Sequence, residues 1–214
     1  YVSNPPGVSG KTRRALIDAM QELNRKQLGT LGDPAIATHI DNYELAFRMQ
    51  TSVPELVDIA KEPKEILELY GAEPGKASYA NNCLLARRLA ERGVRFIQLC
   101  HRDWDHHGGL PGALPKLCKE TDQASAALVK DLKQRGLLDE TLVVVMSEMG
   151  RTPRINGNAG RDHWTNCYGA MFAGGGIRGG TVHGASDSQA AYVKEAPVST
   201  SDICATVYHC LGIP

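Results

Sequence analysis

The run Leu142-Val143-Val144-Val145-Met146 constrains the fold of this 214-residue chain more than any other stretch. Consecutive apolar residues, mostly valine, have no polar face to offer water, so they fit a strand covered on both sides, as in a parallel sheet. A second candidate strand, 94–100, reads Val94-Arg95-Phe96-Ile97-Gln98-Leu99-Cys100. Between the two, residues 113–135 space Leu117, Ala124, Leu128 and Leu132 along one face of a helix that Gly136 stops. Strand, helix, strand in that order predicts a crossover joining parallel strands. Residues 168–173 offer a further strand, followed by glycines at 174–176 and 179–180. These lack the spacing of either common phosphate-binding loop and read as a turn.

The first ninety residues read as helical. Ser9 caps a helix carrying Leu16, Met20 and Leu23 on one face and ending near Gly29. Asp33 and Pro34 supply the N-cap and first turn of another, in which Ile36, Ile40, Tyr43 and Phe47 recur at helical spacing. Prolines 54 and 63 divide the next stretch into short pieces closed at Gly71. Residues 78–92 form a helix ended by Gly93, and 199–211 a last one with Ile203, Val207 and Leu211 inward. The fold class expected is α/β, a mainly parallel sheet sandwiched by helices over residues 94–214, with a helical segment at 1–93 packing on it.

Composition excludes several roles. Lys and Arg number 24 and so do Asp and Glu, so no global field favours nucleic acid or an acidic membrane surface. No apolar run is long enough for a transmembrane segment, and the opening Tyr1-Val2-Ser3-Asn4-Pro5-Pro6 has neither part of a signal peptide. The start without Met suggests a fragment or processed chain. The 6 cysteines have no CxxC spacing, and most read as small buried hydrophobes rather than a disulfide framework.

Chemistry concentrates where the candidate strands end. The loop Arg102-Asp103-Trp104-Asp105-His106-His107-Gly108-Gly109 follows the first strand, Glu148 follows the second, and Gly160-Arg161-Asp162-His163-Trp164 comes soon after. Ligands collect at the carboxyl ends of strands in open α/β sheets. Carboxylate and imidazole together are what a divalent metal such as Zn²⁺ or Mn²⁺ takes, and the ion expected is Zn²⁺, Mn²⁺ or Ca²⁺. Asp105, His107 and Glu148 can therefore converge, and Asp162 either binds metal or orients His163. Arg151 and Arg161 each offer a planar fork of donors to a tetrahedral oxyanion, with a turn-stabilising salt bridge as the plainer role for Arg151. His106 is a ligand or a donor to a carboxylate, and Asp103 a solvated loop acid. His39, His183 and His209 read as structural or surface residues, and Trp104 and Trp164 as shields against water.

Several stretches together resemble the DUF1501 family of bacterial proteins. They are Asn42-Tyr43-Glu44-Leu45-Ala46-Phe47-Arg48-Met49-Gln50, Leu84-Leu85-Ala86-Arg87-Arg88-Leu89, Trp104-Asp105-His106-His107-Gly108, Glu120-Thr121-Asp122-Gln123, the segment 132–143, Glu148-Met149-Gly150-Arg151-Thr152-Pro153, Gly160-Arg161-Asp162-His163 and Ala173-Gly174-Gly175-Gly176. The resemblance extends over the whole chain and is to the C-terminal half or so of such a protein. It implies an alkaline phosphatase-like and sulfatase-like α/β/α sandwich. By that resemblance Asp105, His107, Glu148 and His163 are metal ligands, while Asp162, Arg151 and Arg161 join the candidate site on their own chemistry. It further implies a metal-dependent hydrolase of sulfate or phosphate esters, acting on a small-molecule or polysaccharide ester in the periplasm or outside the cell. The nucleophile is expected upstream of Tyr1. Met149 stands where relatives with two metals place a ligand, which argues against a full second site. The alternative is a non-catalytic protein, stabilised by its metal, that kept the fold for binding or structure.

Overall fold

A computed structural model describes residues 6–213, and the side chains of all of these except 49–52. Tyr1 to Pro5, and Met49 and Gln50 of the resembling stretch, thus lie outside the side chains described. The chain forms two compact units, Tyr1–Lys61 and Glu62–Pro214. The helices expected between residues 62 and 93 belong with the second.

The first unit is a helical hairpin of α1 (Gly10–Leu31) and α2 (Pro34–Val57). Its ends follow from local chemistry. The Ser9 hydroxyl accepts from the Thr12 N–H, Gly32 closes α1 in a left-handed conformation, and the Asp33 carboxylate caps α2 ahead of Pro34. Pro54 does not break α2, which continues through it to Val57. The expected stripe Leu16, Met20 and Leu23 is exposed, and the buried positions of α1 are Ile17 and Gln21. Gln21 tolerates burial because it donates to Glu44 at 3.2 Å, and Glu44 also accepts from Arg14 at 2.8 Å. The Arg14 guanidinium in turn holds the Glu44 carboxyl below its ordinary value.

The second unit is built around α5 (Leu110–Gln134), against which α3 (Lys64–Tyr70) and α4 (Tyr79–Glu91) pack. Leu117, Ala124 and Leu132 of α5 are buried as the helical spacing predicts, and Leu128 is half-buried. They share the core with Tyr70, Cys83 and Leu84, where each large apolar side chain contributes about 1.5–3 kcal/mol. Ser78 caps α4, and Gly93 and Gly136 follow α4 and α5 with positive φ. The last helix, α6 (Thr200–Cys210), opens on a capping box between Ser199 and Asp202. Its Ile203 and Val207 are only half-buried, and Leu211 is exposed rather than inward.

The expected parallel sheet is absent from the described residues, so this chain does not form an alkaline phosphatase-like α/β sandwich. Its strands are short and make three antiparallel pairs. β1 (Val143–Val145) pairs β4 (Met171–Ala173), with Val144 opposite Phe172. β2 (Gly150–Arg151) pairs β3 (His163–Trp164), and β5 (Ala185–Ser186) pairs β6 (Val193–Glu195). Residues 94–100 are not a strand, and Phe96 is 79% exposed. An apolar run registers the tendency to be covered, but not which neighbour covers it or in which direction. The crossover rule presupposes two strands in one sheet, and here the first of them has no ladder partner among the described residues.

The cysteines also depart from expectation. All 6 are free, and only Cys83 is buried, where desolvation pushes its thiol up to about 11. Cys100, Cys118 and Cys204 are exposed. No helix among the described residues is long and apolar enough to cross a membrane.

Candidate metal centre

Two loops that are distant in sequence are laced together by backbone hydrogen bonds. Arg161 N–H donates to His106 O at 2.8 Å, Gly109 N–H to Asn158 O at 3.1 Å, and Leu110 N–H to Ala159 O at 2.8 Å. The approach is closest at Gly160, where a Cβ would stand 2.1 Å from the carbonyl carbon of His107 and 2.3 Å from the nitrogen of Gly108. Only glycine fits there, because the neighbours are backbone and cannot rotate away. Gly160→Ala is therefore expected to push the loops apart and destabilise the unit by about 1–3 kcal/mol. Thermal unfolding would read that loss, and metal titration a weaker site.

The other sides of the site are also fixed. Residues 150–164 form a hairpin whose ladder sets Arg151 directly opposite His163. Thr152 closes it, its N–H donating to Asp162 O at 2.9 Å and its hydroxyl accepting from Asp162 N–H at 3.1 Å. Trp164 is anchored by its indole N–H, which donates to Ala191 O at 2.6 Å. Ahead of the first loop, His101 accepts from the Trp104 indole at 2.8 Å, lies 3.3 Å from Glu120 of α5, and meets the ring of Tyr79 of α4 edge-on. Between these anchors Asp103 adopts φ 71°, a left-handed conformation uncommon outside glycine.

Asp105, His107 and His163 converge in this frame. Asp105 Oδ1 lies 3.1 Å from His107 Nε2 and 2.9 Å from His163 Nε2, and the two imidazole nitrogens are 3.3 Å apart. Metal bonds of about 2.0–2.2 Å in a tetrahedral shell separate adjacent donors by roughly 3.3–3.6 Å. The triangle is therefore close to one face of such a shell, and needs to open by only a few tenths of an ångström. Each of the three residues is about half exposed, which leaves the opposite side of the triangle open. Structural metal sites are closed by a fourth protein ligand, whereas an open position marks a site that takes solvent or substrate.

Charge supports the same arrangement. Arg151 Nη1 donates to Asp105 Oδ1, and this, with a hydrogen bond from His163, holds the Asp105 carboxyl down to about 2. Asp105 is thus a carboxylate at any physiological pH, as a ligand must be. His107 and then Asn156 hold Asp162 below its ordinary value.

The remaining candidates fall into place around the triangle. Asp162 is not one of the converging donors, since its Oδ1 meets the far nitrogen of His107, Nδ1, at 2.7 Å; the ring it touches is His107 and not His163. Glu148 is exposed on the bend after β1 and is not among the converging donors. Arg161 joins the loops through its backbone, and its Nε is buried without a hydrogen bond among the described residues. His106 also contributes its carbonyl to the lacing. His39, His183 and His209 are exposed and outside the cluster. Asn156 and His101 were not singled out by the sequence. An Asn-Gly pair signals a turn, but nothing local reveals where the Asn156 amide reaches.

The chain belongs to the DUF1501 family, whose model, described as a protein of unknown function, matches residues 1–214. No curated protein and no solved structure matches the chain.

Proposed function

We propose that Asp105, His107 and His163 bind one divalent metal ion, and that the site serves the hydrolysis of sulfate or phosphate esters. The observation that carries the reading is the donor triangle, with all three separations between 2.9 and 3.3 Å and one side open. An ion held there supplies Lewis-acid polarisation of a phosphoryl or sulfuryl oxygen. Arg151 stands beside the same carboxylate oxygen, 24% exposed, with a planar guanidinium suited to a second oxygen of a tetrahedral anion. Asp105 thus has two tasks, ligand to the metal and anchor for the arginine.

The reading is tested by calorimetric titration with Zn²⁺ and Mn²⁺ and by assays on an aryl phosphate and an aryl sulfate. Expected are one ion per chain and turnover that EDTA abolishes and added metal restores. Failure to bind either ion, or turnover indifferent to EDTA, overturns it. A second reading is favoured by one feature, the lacing of the two loops that carry the triangle, with Arg161 N–H on His106 O and Leu110 N–H on Ala159 O, both at 2.8 Å. In that case the ion ties the two loops together and the protein binds without catalysing. It would then raise the unfolding temperature without supporting turnover of either ester.

A further inference from the structure

We infer that Asn156 and Asp162 are positioning residues for His107, a role that rests on the metal-centre reading above. Asp162 Oδ1 lies 2.7 Å from His107 Nδ1. An ionised carboxylate can only accept, so Nδ1 carries the proton, which leaves the lone pair of Nε2 facing Asp105 and His163. The carboxylate therefore selects both the tautomer and the ring orientation that a metal ligand requires, and it makes the imidazole a stronger donor.

Asn156 holds Asp162 and His107 at once. Its Nδ2 donates to Asp162 Oδ1 and to the His107 carbonyl, both at 3.1 Å. Its Oδ1 accepts from Asn158 N–H at 3.0 Å and Gly160 N–H at 2.9 Å. The amide oxygen thus shapes the 156–160 turn, while the amide nitrogen reaches across to the other loop. Every hydrogen-bonding position of the side chain is used, and the two halves of the amide have separate tasks.

That division permits a clean test. Asn156→Asp keeps an oxygen for the turn, removes both donors, and sets a second carboxylate beside Asp162. Asp162→Ala removes the partner of Nδ1, and Asp162→Asn retains an acceptor without its charge. Zn²⁺ affinity would be measured by competition with a chromophoric chelator, the visible spectrum of the Co²⁺-loaded protein would report ligand geometry, and unfolding in EDTA would report the fold. Expected is a loss of Zn²⁺ affinity of about 10- to 100-fold for Asp162→Ala and a comparable loss for Asn156→Asp. A smaller loss is expected for Asp162→Asn. The Co²⁺ spectrum should change in the first two, with their unfolding in EDTA matching wild type. If wild type binds and both variants bind within twofold of it, the positioning role falls while the metal centre stands. An affinity loss matched by a fall in unfolding temperature in EDTA assigns both residues to the fold and also overturns the role. Failure of the wild-type chain to bind Zn²⁺ removes the metal centre itself, and this inference with it.

Discussion

Asp131→Ala should destabilise the second unit by about 3–5 kcal/mol, the usual cost of breaking a buried ion pair from one side. Asp131 is 1% exposed, accepts from the Tyr70 hydroxyl at 3.0 Å, and pairs with Arg135 at 2.8 Å. Arg87 Nε approaches its other oxygen at 3.0 Å, a charge contact whose angle falls short of a hydrogen bond. Arg87 is 2% exposed and also meets Glu62 at 2.5 Å and Glu91 at 2.6 Å. Arg88 joins Glu62, and Arg135 joins Glu91. Removing Asp131 takes a buried carboxylate away from Arg87 and Arg135, and strips the Tyr70 hydroxyl of its acceptor. Urea unfolding measures the loss, and the unfolding temperature should fall by roughly 10 °C. Adding Arg87→Met should recover part of it, because a buried charge that lost a partner is then gone. A loss below about 1 kcal/mol would mean that the network is solvated and contributes as little as a surface pair. Acid should weaken the same network. Burial opposes the Glu62 carboxylate, but hydrogen bonds from Arg87 and Arg88 outweigh it and hold its pKa below 4.5. Its share of stability is therefore present above that pH and is lost as pH falls through the lowered value.

What the sequence made legible here is chiefly local. Ser9, Asp33, Ser78 and Ser199 cap helices because a side-chain oxygen reaches an N–H two or three residues on, and that chemistry is written within a few positions. Asp105, His107 and His163 stand out for a similar reason, since imidazole and carboxylate on short loops are the donor types a divalent metal takes. Long-range pairing was not legible. Val144 is as apolar as a two-sided parallel strand requires, yet its ladder partner is Phe172, running antiparallel, and no residue near Val144 encodes that choice. Arg87 and Asp131 are the opposite case, charged residues that nothing local marks for burial. Charged residues on helices are usually solvated, and only the meeting of three helices turns these two inward. Asp162 had two roles open to it in the sequence, metal ligand or carboxylate orienting His163, and the structure sets it 2.7 Å from the far nitrogen of His107 instead, a contact that nothing local foretells.

His163→Ala is expected to cost metal affinity on the order of 100- to 1,000-fold, the share of one ligand in a typical zinc-binding free energy. The imidazole is 48% exposed, and its polar contacts are to Asp105 and His107, so no apolar core is disturbed by its removal. Exposed substitutions of this kind usually change stability by less than about 0.5 kcal/mol, and the helical circular dichroism in EDTA should match wild type. The loss is specific because two donors, Asp105 Oδ1 and His107 Nε2, define an edge and no longer a face of the coordination shell. Zinc competition and ester turnover should then fall together. An affinity within threefold of wild type would take His163 out of the centre and require a different third ligand. Retained turnover with lost affinity would separate the chemistry from the ion, leaving Arg151 and its anion-binding geometry as the part to explain.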